Sequence, residues 1–397
     1  MQETIDRLAA SDRGAAIART LLLPYLNHAA TMYESGYATR DDIDASMRFG
    51  CGYPIGPLAL IDALGAHLVA SGLEKMYAES GDDLHQPVSI LTTMANDSTT
   101  FAEAVGDDDA GAPQLRHEIG TVGVVGTGTM ASGIVEVFAK AGYDVVYVGR
   151  GDDKVRAVHD RITKSLDKAI SRGKLDEDGK SSVLARLSGS TTQEALAGAD
   201  IIVEAIAEDL DIKLELFRNL DRIAKPGAIL ATTTSSLSIT DCAAATGRPQ
   251  DVIGMHFFNP APVMKLVEVV SADETSVEVA ETVRALCLST GKHPVSCGDR
   301  AGFIVNALLF PYLNDAITLH ENDGGTLQEI DDAMKETKLP MGPFELLDVV
   351  GNDVSLAIQQ SLVAAFGHAG WDPAPSLAAM VADGKLGRKT GAGFHTY

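Results

Sequence analysis

Two stretches of this chain, 287 residues apart, are versions of one another, and that repeat dictates how everything else must be divided. SDRGAAIARTLLLPYLNHAA at 11–30 matches GDRAGFIVNALLFPYLNDAI at 298–317, with Pro24 opposite Pro311 and Asn27 opposite Asn314. After a one-residue deletion, IDASMRFGCGYPIGPLALIDALG at 43–65 matches IDDAMKETKLPMGPFELLDVVG at 330–351, placing Asp62 opposite Asp348. PVSILTTMAND at 87–97 then echoes PAPSLAAMVAD at 373–383. An offset held over roughly eighty residues marks a duplicated domain. Apolar residues at three- and four-residue spacing, with Gly-Pro punctuation, make both copies helical.

Between the copies the texture changes. Residues 98–117, STTFAEAVGDDDAGAPQLRH, are small, acidic and Gly/Pro-containing, and read as a linker. From 118 to 300, short apolar runs (TVGVVG, DVVYVG, ADIIVEAI, AILATT, VIGMHFF, KLVEVV) alternate with amphipathic helices. That alternation predicts a mostly parallel sheet wrapped by helices. The expected organisation is a helical domain at 1–97, an acidic linker at 98–117, a Rossmann-like α/β domain at 118–300 and a second helical domain at 301–397.

The run at 121–150, TVGVVGTGTMASGIVEVFAKAGYDVVYVGR, is strand, glycine turn, helix and strand. Gly126 allows the tight turn, Gly128 lets the backbone approach a pyrophosphate, and Ala131 takes the third small position. A helix opening near Thr129 and Met130 aims amide dipoles at the phosphates. An NAD-binding unit usually carries Asp or Glu about 20 residues past the glycines, for the ribose 2′-hydroxyl. Here Gly149 and Arg150 stand at that place. A missing carboxylate removes repulsion against a 2′-phosphate and a guanidinium binds one, so NADP(H) is favoured over NAD(H). The alternative keeps Arg150 as a solvated loop residue and gives the ribose to Asp152 or Asp153.

Downstream, His256 lies within HFFNP and Glu268 follows twelve residues later. A carboxylate one short strand away orients one ring nitrogen and leaves the other to move a proton, the general-base arrangement that alcohol oxidation needs.

These motifs together resemble the L-3-hydroxyacyl-CoA dehydrogenase family over 118–397, with an extra copy of its C-terminal domain in front. The resemblance is carried by GTGTMASG, VEAIAEDLDIK (203–213), TSSLSIT (234–240), HFFNPAPVMKLVEVV (256–270), GKHPVSCGDRAGFIVN (291–306), PMGPFELLD (340–348) and KLGRKTGAGFHTY (385–397). It implies a Rossmann-like domain flanked by two all-α domains of the 6-phosphogluconate dehydrogenase C-terminal type. It also implies interconversion of 3-hydroxyacyl-CoA and 3-oxoacyl-CoA, with a short acyl chain such as 3-hydroxybutyryl by analogy with stand-alone members. On the matching positions, His256 is the proton acceptor, Glu268 its orienting partner, and Ser235 and Asn306 hydrogen-bond the substrate oxygen. Read alone, Ser235 is a helix N-cap and Asn306 a polar helix residue. Glu208, Lys213 and Thr233 match positions near the cofactor, although a solvated helix face accounts for Lys213 as well. Ser165 and Arg172 match coenzyme A contacts, with Arg172 standing where the pattern has lysine.

The chain also departs from the pattern. Thr233 replaces Asn, Ala301 replaces Pro, Ala307 replaces Arg, and Gly149 replaces the ribose-binding Asp. In the front copy Arg19 stands opposite Asn306, and no KTGxGF tail follows Asp97, so that copy is not a second active site. The family's helical domain mediates dimerisation, so the front copy is expected to imitate a dimer partner and make a monomeric pseudo-dimer. The rival arrangement is a true homodimer. Two other functional readings are a dehydrogenase of a free hydroxy acid or sugar acid, and a non-catalytic scaffold or cofactor-sensing subunit.

A net charge of −23 opposes binding to nucleic acid or an anionic membrane, and leaves an anionic thioester to local cations and helix N-termini. The four cysteines form no CxxC pair, so no metal site is expected. No apolar run reaches membrane-span length and the N-terminus does not read as a signal peptide, which together point to the cytoplasm.

Overall fold

The computed structural model describes residues 2–103, 113–367 and 371–397. They fall into two compact units, one built from the chain up to 108 together with 301–397, the other from 109–300. No helix among the described residues is long and apolar enough to cross a membrane.

The helical unit contains both repeats. Its front copy comprises α1 (Gln2–Ala9), α2 (Arg13–Glu34), α3 (Arg40–Gly50), α4 (Pro57–Leu64), α5 (Ala66–Ser80) and α6 (Ser89–Asp97). The α/β unit supplies α7 (Thr129–Lys140), α8 (Asp152–Ser171), α9 (Glu177–Ala185), α10 (Leu210–Ile223), α11 (Ile239–Ala244) and α12 (Val277–Ser289). The rear copy comprises α13 (Val305–Glu321), α14 (Leu327–Glu336), α15 (Pro343–Val350), α16 (Asn352–Phe366) and α17 (Pro375–Ala382).

The long helix α2 packs on α13 and α14. Tyr25 and Tyr312, equivalent under the repeat, meet each other with ring centroids 6.2 Å apart. A residue that meets its own equivalent is what a two-fold axis produces. Each copy also solves the same buried-polar problem in the same way. Asn27 donates to Leu84 O and Gln86 O and accepts from Val88 N, while Asn314 donates to Asp372 O and accepts from Ala374 N. In both, a buried amide ties the long helix to a segment with no ladder of its own.

The expected linker is corrected at its start. Residues 104–112 of it lie outside the described residues, but 98–103 dock onto the front copy. Asp62 accepts from Phe101 N at 2.7 Å and Ala102 N at 3.1 Å. Asp348 accepts from Phe394 N at 2.9 Å and His395 N at 2.8 Å in the same fashion. Phe101 is fully buried, edge-on to Tyr33 at 5.1 Å, and Phe394 is buried beside Phe344. The physical reason is that a helix-borne carboxylate with two accepting oxygens needs only two successive backbone N–H groups and an aromatic anchor, not a whole tail motif.

The α/β unit is one eight-stranded sheet ordered β3-β2-β1-β4-β5-β6-β7-β8. The strands are β1 (Thr121–Val125), β2 (Asp144–Val148), β3 (Leu187–Ser190), β4 (Ile201–Glu204), β5 (Ile229–Thr232), β6 (Val252–Phe257), β7 (Leu266–Ser271) and β8 (His293–Gly298). β1 through β6 run parallel, β7 is antiparallel to β6, and β8 is parallel to β7. Strands β4, β5 and β6 are buried at every position, which is why their sequences are near-continuous apolar runs.

Replacing Asp62 with Ala removes the acceptor for two backbone N–H groups. It is expected to cost about 1–3 kcal/mol, read as a lower unfolding midpoint, and to open the chain near Phe101 to limited proteolysis.

Candidate active site

Register fixes where the chemistry collects. Val148, Val125, Glu204, Thr232 and Gly254 pair across β2, β1, β4, β5 and β6 and so form one level at the carboxyl edge of the sheet. Gly149, Gly126, Ala205 and Thr233 each follow one residue later, and His256 two residues beyond Gly254. The strand order changes direction between β1 and β4, the switch point at which doubly wound sheets bind ligands.

A cavity of about 660 Å³ opens there, lined by Gly126, Gly128, Thr129, Met130, Gly149 and Arg150 among others. Gly126 has φ +133°, and a Cβ on it would lie 2.3 Å from Ala205 O, so only glycine fits. Gly128 has open space where its Cβ would stand, leaving the backbone approachable. It is also the N-cap of α7 and supplies no side-chain cap, so first-turn amides remain available to an anion. Ala131 packs behind, facing Gly126. These features fit a dinucleotide. Glu208, Lys213 and Thr233 do not line this cavity. Ser165 lies along α8, four residues beyond Arg161, and Arg172 is the exposed C-cap of that helix; neither lines this cavity.

Lys213 is no solvated residue. It is 1% exposed and its Nζ donates to both oxygens of the fully buried Glu204, at 2.7 and 2.8 Å, and lies 3.2 Å from Glu208. Glu204 also accepts from Ile206 N and Thr232 Oγ1. Glu208 in turn accepts from Thr234 Oγ1 at 2.5 Å, Ser235 N at 2.9 Å, and Ser236 N and Oγ. The carboxylate therefore holds the turn that carries Ser235. Burial works to raise the Glu208 pKa, but Lys213 and the bonds from Thr234 and Ser235 outweigh it and hold the carboxyl below its usual range. Ser235 is not the N-cap of α11 either; Ser238 accepts from Asp241 N in that role. Thr233 continues the ladder, donating its N–H to Glu204 O.

His256 and Glu268 are directly opposed in the antiparallel β6–β7 pair, with Nδ1 2.6 Å from Oε2. Both are buried, and Phe258 lies against the imidazole at 4.6 Å. Asn306 sits in the first turn of α13, in the helical unit, and is buried. Its front-copy equivalent, Arg19, instead donates to Leu8 O and Ala10 O, tying down α1.

Sequence reasoning missed Glu204 and Arg161. A carboxylate ending the run ADIIVE was a usable signal for the first, because an acid inside a buried strand must have a partner. For Arg161, which donates to Thr127 O at 2.6 Å and Ser132 Oγ at 3.2 Å, an amphipathic helix offers none.

Because the Glu208 pKa is lowered, its contribution is complete above the ordinary value of 4.5 and is lost as pH falls through the folded value. The unfolding-midpoint gap between wild type and Glu208→Gln is therefore expected to be constant toward neutrality and to close in acid. A gap that widens in acid has the wrong sign for this anchor.

Comparison with known proteins accounts for nearly the whole chain. The model of the 3-hydroxyacyl-CoA dehydrogenase NAD binding domain matches residues 121–300, and that of the 3-hydroxyacyl-CoA dehydrogenase C-terminal domain matches twice, at 17–105 and 302–397. The 3-hydroxybutyryl-CoA dehydrogenase of Clostridioides difficile is 44% identical over 275 residues, 69% of this chain and 98% of that protein. The mitochondrial hydroxyacyl-coenzyme A dehydrogenase of Homo sapiens is 42% identical, over 70% of this chain and 90% of that one. The crystal structure of (S)-3-hydroxybutyryl-CoA dehydrogenase from Ralstonia eutropha superposes with a TM-score of 0.69 at 41% identity, covering 70% of this chain and 99% of that chain. With its dinucleotide unit matched once and its helical domain matched twice, this chain belongs to the 3-hydroxyacyl-CoA dehydrogenase family.

Proposed function

We propose that this chain interconverts (3S)-3-hydroxyacyl-CoA and 3-oxoacyl-CoA, with a short acyl group such as 3-hydroxybutyryl, and that it favours NADP(H). The observation that carries the reading is the opposed His256–Glu268 pair at the carboxyl edge that also bears the glycine cradle. Gly126, Gly128 and the first turn of α7 would hold the dinucleotide, which would supply hydride exchange at substrate C3. His256 removes the hydroxyl proton in oxidation and returns it in reduction. A carboxylate only accepts hydrogen bonds, so Glu268 keeps the proton on Nδ1, leaves Nε2 as the basic atom and stabilises the imidazolium. Ser235 and Asn306 steady the substrate oxygen; donors already in place cost no reorganisation as charge develops. The NADP(H) preference rests on Gly149, which has no carboxylate to oppose a 2′-phosphate, and on the exposed Arg150 at the cavity wall. Ser165 and Arg172 are the proposed coenzyme A contacts.

The front copy is proposed to stand in for a dimer partner, so that one chain is the working unit. The packing of α2 on α13 and α14 and the Tyr25–Tyr312 contact support it. A solution mass near 41.7 kDa is expected; twice that value overturns the pseudo-dimer.

Oxidation of NADPH and of NADH by acetoacetyl-CoA tests the reaction and the cofactor together. Turnover with NADPH preferred is expected, and His256→Ala should lower kcat by about 100-fold or more. Undiminished turnover in that variant removes His256 as the base.

A further inference from the structure

Gly149 stands where a ribose-binding carboxylate belongs, and the structure gives it a neighbour that excludes one. A Cβ on Gly149 would lie 2.4 Å from Thr127 Cγ2 and 3.3 Å from Val155 Cγ2, with Lys154 Cβ at 3.7 Å. Real carbon atoms do not approach to 2.4 Å, so a side chain at 149 requires Thr127 to move.

Thr127 is poorly free to do so. Its carbonyl accepts from Arg161 Nη1 at 2.6 Å, and Arg161 is itself tied to Ser132 Oγ at 3.2 Å. On either side, Gly126 N donates to Val148 O and Gly149 N donates to Ser190 O, which fixes both approaching backbones in the sheet. Threonine is branched at Cβ, so turning χ1 exchanges the methyl for a hydroxyl or forces an unfavourable rotamer.

We infer that Thr127 is a second determinant of dinucleotide choice: its methyl fills the space through which a carboxylate at 149 would reach a ribose 2′-hydroxyl. The choice is then written in two residues, one on the glycine loop and one at the end of β2, and a change at 149 alone does not reverse it. The inference rests on the NADP(H) reading above for its direction, although the steric coupling is independent of that reading.

The test uses the purified full chain, with NADH and NADPH binding measured by calorimetry for wild type, Thr127→Ser, Gly149→Asp and the double variant. Serine keeps the hydroxyl and deletes the methyl. Gly149→Asp alone is expected to bind NADH no more tightly than wild type, and the double variant about tenfold more tightly than that single variant. Equal NADH binding by the single and double variants overturns the role of Thr127. A wild type that prefers NADH overturns the NADP(H) reading and leaves the Thr127 comparison intact. Should Gly149→Asp fail to fold, Gly149→Ala carries the same question. Its melting midpoint is expected to drop and to recover in Thr127→Ser/Gly149→Ala, and the absence of any recovery sinks the inference.

Discussion

The fully buried carboxylate of Glu204, at the end of β4, sets the conditions for the loops around the site. An unpaired carboxylate there is prohibitively costly, so the chain answers with Lys213 from the first turns of α10, Thr232 from the next strand and the backbone of Ile206. Lys213 is then close enough to recruit Glu208, and Glu208 gathers Thr234, Ser235 and Ser236. A turn outside the sheet ladder thus acquires a fixed position through charge. Lys213 bridges Glu204 and Glu208, so the contacts of the buried carboxylate and of the turn are coupled through one side chain.

Duplication separates what the helical domain needs in order to fold from what it needs in order to act. Both copies keep the buried Asn on the long helix, the carboxylate that receives two backbone N–H groups, and the tyrosine at their mutual contact. The position of Asn306 diverges. Arg19 occupies it in front and uses its donors on Leu8 O and Ala10 O, holding α1, whose Thr4 hydroxyl and Arg7 guanidinium engage Thr337 O and Glu336 of the rear copy. In the front copy this position clamps one helix to the next. The retained set is about buried polar groups, whose loss is costly wherever the copy sits.

The repeat and the alternation were legible because each is a long-range pattern: a constant offset, and apolar strands at the spacing of crossover helices. His256 and Glu268 were legible because a strand period lets two residues twelve apart face one another across a turn. The docking of Phe101 was not, since TTFAE shares one aromatic with GAGFHTY and the contacts on Asp62 are made by backbone atoms. Lys213 read equally as a surface residue because its partner Glu204 lies nine positions earlier, across a strand end and a loop, outside any helical spacing. Ser235 was open to the same ambiguity, and the cap belonged to Ser238, three residues on.

His256 and Glu268 are held in place by different means from Ser235. Both lie within the β6–β7 ladder, whose register runs unbroken from Ile253 to Phe257. Shifting one against the other means breaking that ladder. Parallel neighbours need a crossover of a dozen or more residues, usually a helix; an antiparallel return does not. The reversal at β7, after the parallel progression from β1 to β6, is therefore what lets the two side chains belong to one compact strand pair. The connection between them is held in turn: Lys292, buried just before β8, donates to Ala261 O at 2.5 Å and Met264 O at 2.7 Å. Ala261 and Pro262 approach the position of a Cβ on Gly133 in α7 at 3.1 Å, so the segment that joins His256 to Glu268 also rests on the helix that opens at the glycine loop. Placement of the histidine and placement of the dinucleotide cradle are, on this geometry, one packing problem solved within a single unit.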